Sequence, residues 1–231
     1  MKRNVFFATI SALLVLALSS CTGNEQLLKD MVGTWDGTTN VNYGDGTKAE
    51  AQQILQFFAS EDGKTGKFIE VLNGSEADTD EDGIEYEVPY TTFIIGNYLV
   101  DEDGDLQLRY DLNTLSVFAH QDGIEDYAQK NYDYYNSGEV ENMFDGATVA
   151  DIAEFFQDNF QKHFMETWSS NYESENEAGD NSFYFGLKVE DGVLSYDTGD
   201  MGTVKFKKIA DLFDELPEET EYAAEDAATK L

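Results

Sequence analysis

The sequence predicts a mainly β fold: an up-and-down antiparallel β-barrel, closed or nearly so, with one inserted amphipathic helix and a short C-terminal helix or tail. Three observations carry this expectation. Polar and apolar side chains alternate with a period of two through most of the chain, as in half-buried strands. Asp-Gly recurs at residues 45, 62, 82, 103, 122, 145 and 191, and both residue types tolerate the positive φ of tight hairpins. One segment, Thr148 to Trp168, has helical spacing instead. About nine strands in succession favour closure, which removes aggregation-prone edges; two packed sheets are the alternative.

Residues 1–20 stand outside that domain. Lys2 and Arg3 precede an apolar run from Val5 to Leu18 that is too short for an ordinary membrane span and reads as a secretory leader. It ends in Leu18-Ser19-Ser20-Cys21, with the chain's single cysteine. The stretch resembles the lipobox of bacterial lipoproteins, whose cysteine becomes the acylated N-terminus. A plain secretory cleavage site followed by a chance thiol is the other reading, but a lone exported thiol is an odd choice in an oxidising space. The expected organisation is therefore a signal peptide over 1–20, a tether over 21–26, a barrel over 27–210 and an acidic helix or tail over 211–231. The expected location is the cell envelope, with Cys21 holding the chain to the outer membrane.

Charge narrows the partners. Forty-seven acidic residues against fourteen basic ones give a net charge of −33, which repels nucleic acid and anionic membrane surfaces. Sixteen Phe and thirteen Tyr supply enough bulk for a packed core without a disulfide.

The elements follow in order. Glu25 to Val32 reads as one or two helical turns, with Leu27, Leu28 and Met31 facing inward. Two alternating runs between residues 34 and 59 flank Asp45-Gly46. Further strands are expected at Lys67–Leu72, Ile84–Ile95, Tyr98–Val100, Leu106–Leu112, Leu115–Ala119, Phe183–Val189, Val193–Tyr196 and Val204–Ile209. In the helical segment Thr148 is the N-cap, with Asp151 three positions on, and Ile152, Phe156, Phe160 and Phe164 form one stripe. Such a stripe more often packs on the outside of a sheet than lines a cavity. Tyr172 to Asn181 reads as a polar loop.

The order of features resembles the lipocalin-like lipoproteins of bacterial envelopes, within the calycin superfamily: lipobox, short helix, Gly33-Thr34-Trp35, meander and late helix. The resemblance implies that Gly33 and Trp35 open the first strand and that the indole plugs the closed end of the barrel beneath the N-terminal helix. The family's stacking arginine near the barrel's end has no counterpart, because the only arginine past the leader is Arg109; Lys205 or Lys207 would stand in for it. The helix here also precedes the last strands rather than following them.

Two stretches carry candidate sites. Asp78, Asp80 and Asp82 with Gly83 match the first half of a calcium loop, but Pro89 stands where the bidentate glutamate belongs; a solvated hairpin tip is the simpler reading. Asp101, Asp103 and Asp105 repeat the pattern. Tyr127, Tyr132, Tyr134 and Tyr135 make a tyrosine-rich loop that either meets a ligand or partner or packs on the rim. His120 and His163 have no nucleophile or metal-ligand spacing around them, and no catalytic motif or cofactor fingerprint appears. The expectation is a non-enzymatic envelope lipoprotein whose barrel binds a small, mainly apolar, neutral or cationic ligand. The alternative is a protein- or glycan-interaction module with a filled barrel. On this strand count the turns at Asp45, Asp78–Gly83 and Asp101–Asp105 share one end, giving an acidic mouth away from the anchor, with calcium held weakly if at all.

Overall fold

The computed structural model describes residues 24–42, 48–59, 64–138, 140–177, 183–199 and 202–231. The expected leader, Cys21 and the Asp45-Gly46 turn lie outside the described residues. A helix over 24–31 (α1) leads into β1 (Gly33–Asn42), β2 (Lys48–Phe57), β3 (Thr65–Thr79), β4 (Glu85–Val100), β5 (Leu106–Tyr110) and β6 (Ser116–Ala119). Two helices, α2 (Gln121–Tyr135) and α3 (Val149–Glu177), precede β7 (Phe183–Glu190), β8 (Val193–Asp197) and β9 (Thr203–Ile209); α4 (Ala223–Ala228) ends the chain. Eight strands close an antiparallel barrel in the order β1-β2-β3-β4-β5-β7-β8-β9, with β9 pairing back onto β1 at Thr34↔Ile209. β6 adds to β4 beyond the end of β5.

Alternation sorts the side chains. Trp35, Val41, Leu55, Phe57, Phe68, Tyr98, Leu194 and Phe206 belong to the inner core. Ile54, Ile69, Val71, Phe93 and Ile95 point outward yet are buried, under Phe213, Ala223, Ala224 and Ala227. The acidic C-terminal stretch therefore docks on the barrel wall instead of fraying. The apolar pairs Phe68-Ile69 and Val71-Leu72 in β3 and the run Phe93-Ile94-Ile95 in β4 are what strands covered on both faces require.

The topology differs from the expected one at Gly96. Ile84–Ile95 and Tyr98–Val100 are a single strand, because Gly96 is not a turn. It pairs directly with Phe68, and a Cβ there would stand 2.3 Å from the Phe68 ring and 2.5 Å from the Arg109 carbonyl oxygen. The glycine makes room for an aromatic ring inside the barrel, as Gly66 does beneath Tyr98 and Gly74 beneath Tyr90. Losing one turn moves the next turn of the meander to the opposite end of the barrel. The Asp101–Asp105 turn thus falls at the α1 end, where the Asn24 side chain donates to the Asp101 carbonyl at 2.6 Å, opposite the β3–β4 turn. No single acidic mouth collects these turns.

Two helical segments also differ from expectation. Residues 126–135 are not a loop: they lie in α2. The first part of the expected Tyr172–Asn181 loop, through Glu177, is the last turn and a half of α3, whose N-terminus is the expected Thr148–Asp151 capping box; residues 178–181 lie outside the described residues. The α3 stripe continues through Trp168 and Tyr172 in steps of four. Each such step advances about 40° around a helix of 3.6 residues per turn. Its first half therefore faces α2 and the β3–β4 hairpin through Phe156 and Phe160, and its second half faces the barrel.

Helix α3 also replaces missing wall. Among the described residues β5 pairs with β7 at Leu106↔Tyr184 and Gln107↔Phe183, and beyond that point the edges of β5 and β6 meet α3. Side-chain amides on α3 satisfy them. Asn176 donates to the Tyr110 carbonyl (2.8 Å) and accepts from its N–H (2.9 Å). Gln161 accepts from Ala119 N–H and donates to the Val117 carbonyl, while Gln157 donates to the Ala119 carbonyl. Buried edges without such partners would be costly.

Candidate functional site: a cavity at the open end of the barrel

The two ends of the barrel differ. At the α1 end Trp35 is fully buried, and its indole N–H donates to the Met31 carbonyl at 2.7 Å. Gly33 precedes it with a φ of 117°, a conformation open to glycine, where the chain turns from α1 into the sheet. The cation over the indole is Lys208, 5.1 Å from the ring centroid and also bonded to the Val32 carbonyl, rather than Lys205 or Lys207. Leu28 and Met31 of α1 are buried against the barrel at this end.

At the other end, where β1 reaches Thr39–Val41, a cavity of about 310 Å³ lies between the strands and the second half of α3. This is at the lower end of the range for small-molecule pockets, about 300–1,000 Å³. Its rim includes Ser174 and Glu175, both exposed.

Glu70 lies in its wall. It sits on the inward face of β3, 2% exposed, in an otherwise apolar stretch. Tyr172 donates to Oε1 at 2.9 Å; Tyr110 at 3.1 Å and Gln53 at 3.0 Å donate to Oε2. Burial pushes its pKa up to about 7, and the charge of Glu175 adds to the rise; the three donors pull the other way. The same surroundings lift the Tyr110, Tyr172 and Tyr196 phenols well above 10, so they remain neutral donors at physiological pH. Aromatic rings line the walls: Tyr110 against Tyr172 (centroids 4.6 Å apart), Trp168 against Tyr172 (5.6 Å) and Tyr184 against Tyr196 (4.7 Å). Trp168, 5% exposed, also lines the cavity, and its buried indole N–H has no hydrogen-bond partner among the described residues.

Sequence reasoning did not single out Glu70, Trp168 or Tyr172 as site residues. A signal for Glu70 exists: it is the one charged residue in Phe68-Ile69-Glu70-Val71-Leu72, so alternation turns it inward between Phe68 and Leu72.

The candidate calcium stretch and the tyrosine stretch meet each other. Asp80 Oδ1 accepts from the backbone N–H of Asp82 (3.0 Å) and Ile84 (2.9 Å), and Gly83 supplies a φ of 82°. Asp101 builds the same turn, accepting from Asp103 and Asp105 (both 2.9 Å), with Gly104 at 84°. The repeated Asp-Glu-Asp-Gly is thus a hairpin device whose leading carboxylate is occupied by the chain's own amides. Asp80 Oδ2 accepts from Tyr127 at 2.6 Å, and Tyr135 donates to Asp82, which fastens α2 to the hairpin. Asp78 caps the N–H of Thr79. Tyr134 packs edge-on against Tyr135, and Tyr132 is half-buried against the core. Among the described residues no cluster of three or more His, Cys, Asp or Glu side chains is arranged to hold a metal ion. His120 bonds to the Thr91 hydroxyl at 2.9 Å, and His163 pairs with Glu76 at 3.0 Å.

No family model, curated protein or solved structure matches the chain.

Proposed function

We propose that this protein is a lipid-anchored envelope lipoprotein with a lipocalin-like barrel, and that it binds a small molecule in the cavity beneath α3 without transforming it. The observation that carries the reading is a cavity of ligand size whose wall holds the buried carboxylate of Glu70 among aromatic rings. Buried polar groups are almost always satisfied in native proteins, so an ionisable side chain in the wall of a void of ligand size points to a ligand. A filled interior, which the interaction-module reading requires, does not fit this end of the barrel.

Solvent extraction of the purified protein, followed by mass spectrometry, tests the ligand. A species recovered in near-stoichiometric amount from the wild type and absent from Thr39→Trp, which fills the cavity, is the expected result. Equal recovery from both proteins would place any bound molecule elsewhere.

The anchor rests on Leu18-Ser19-Ser20-Cys21. Cys21→Ala should move the protein from the membrane fraction to the soluble fraction, and unchanged membrane retention would remove the lipid from this reading.

A further inference from the structure

We infer that the cavity is built for a small organic cation: an ammonium-bearing ligand whose charged group meets Glu70 and the surrounding aromatic rings. This rests on the ligand-binding reading above and names the chemical class of the ligand.

Glu70 has room for one more donor. A carboxylate offers about four lone-pair positions, and Tyr172, Tyr110 and Gln53 occupy three. Charge points the same way. Among the described residues that line the cavity there is no lysine or arginine to neutralise Glu70. A buried carboxylate without a cation is costly, and a ligand that supplies one removes that cost on binding. The wall itself also suits a cation. Tyr110, Tyr172, Trp168, Tyr184 and Tyr196 present aromatic surface around the carboxylate, and desolvated cations are attracted to such faces.

Anionic and neutral ligands fit this chemistry poorly. An anionic ligand such as a fatty-acid carboxylate would meet Glu70 inside and Glu175 at the rim with no counter-charge. A neutral apolar ligand would leave the carboxylate uncompensated.

Binding should also move a proton. The groups facing Glu70 are Gln53 from β2, Tyr110 from β5, Tyr184 from β7, Tyr196 from β8, and Tyr172 and Glu175 from α3. The tyrosines stay neutral, and Glu175 favours the protonated form of Glu70. An arriving ammonium favours the carboxylate, so below about pH 7 its binding releases the Glu70 proton to the buffer.

Titration calorimetry with two matched sets of probes reads this directly: 2-phenylethylamine, 2-phenylethanol and phenylacetate, and the smaller butylamine, butanol and butyrate. In at least one set the amine should bind about tenfold or more tighter than the alcohol, with the acid weakest. Glu70→Gln should abolish the amine's advantage and leave the alcohol within about threefold of its wild-type affinity. Independently of that variant, amine binding to the wild type at about pH 6 should give a heat that depends on the buffer's ionisation enthalpy, and alcohol binding should not. An alcohol or acid that equals or exceeds its amine overturns the cation assignment and leaves the ligand-binding cavity standing. If no probe binds and extraction recovers nothing, both fall together.

Discussion

Trp35→Ala should lower the unfolding free energy by about 3–5 kcal/mol, the loss typical of a large aromatic truncated in a core. The side chain is fully buried, so little of that loss can be recovered by solvent contact. Three connections end together. The indole N–H leaves the Met31 carbonyl, Lys208 loses the ring beneath it, and the inner core loses the bulk that closes the barrel under α1. Trp35→Phe should recover most of the packing and fail only in the hydrogen bond, which costs about 1 kcal/mol. Urea denaturation of the two variants and the wild type separates the contributions. The cavity lies at the other end, so ligand affinity in the folded fraction of either variant should not change. A Trp35→Ala protein within about 1 kcal/mol of the wild type would mean that the α1 end is not a packed plug.

The barrel was legible because its signals are local. Period-two alternation, the capping box at Thr148 and Asp191-Gly192 at the β7–β8 turn, with both residues at positive φ, each state their structure within a few residues. Long-range packing was the part that stayed hidden. Gly96 looks like punctuation unless one knows that Phe68 lies opposite, and that single misreading placed the Asp101–Asp105 turn at the wrong end. Helix α2 is mostly polar, and its tyrosines look like loop residues until the β3–β4 hairpin supplies Asp80 and Asp82 as their partners. The end of α3 reads as a loop because Asn171, Glu173, Ser174 and Asn176 are polar, but Asn176 is polar in order to pair with the exposed backbone of β5. Among forty-seven acidic residues the carboxylate in the cavity wall has no compositional contrast; only its position on the inward face of β3 distinguishes Glu70.

That position has a consequence for stability that does not require any ligand. Glu70 has a pKa of about 7 in the folded protein, against 4.5 for an ordinary glutamate. Below pH 4.5 both states hold the proton and the group contributes no pH-dependent difference. Between pH 4.5 and about 7 the unfolded chain ionises while the native state keeps its proton, so the native state binds more protons and stability falls as pH rises. Above that window both states are ionised and the deficit is constant, about 3 kcal/mol at 1.36 kcal/mol per pKa unit. Glu70→Gln keeps the shape and cannot ionise. The wild type carries many other carboxylates whose titration also depends on folding, but the variant carries the same ones, and their contribution cancels in the difference. Expressed as variant minus wild type, the unfolding free energy should therefore rise by about 3 kcal/mol between about pH 4.5 and 8, whatever fixed offset the altered hydrogen bonds introduce. Removing the rim charge with Glu175→Gln should lower the Glu70 pKa, shift the window toward acid and shrink the rise, because Glu175 is the second largest cause of the elevation after burial. Urea titrations of the three proteins at half-unit pH steps measure both effects. A variant-to-wild-type difference that stays flat with pH would show that Glu70 ionises at an ordinary pH in the folded protein, and that water or a counter-ion already reaches it inside the barrel.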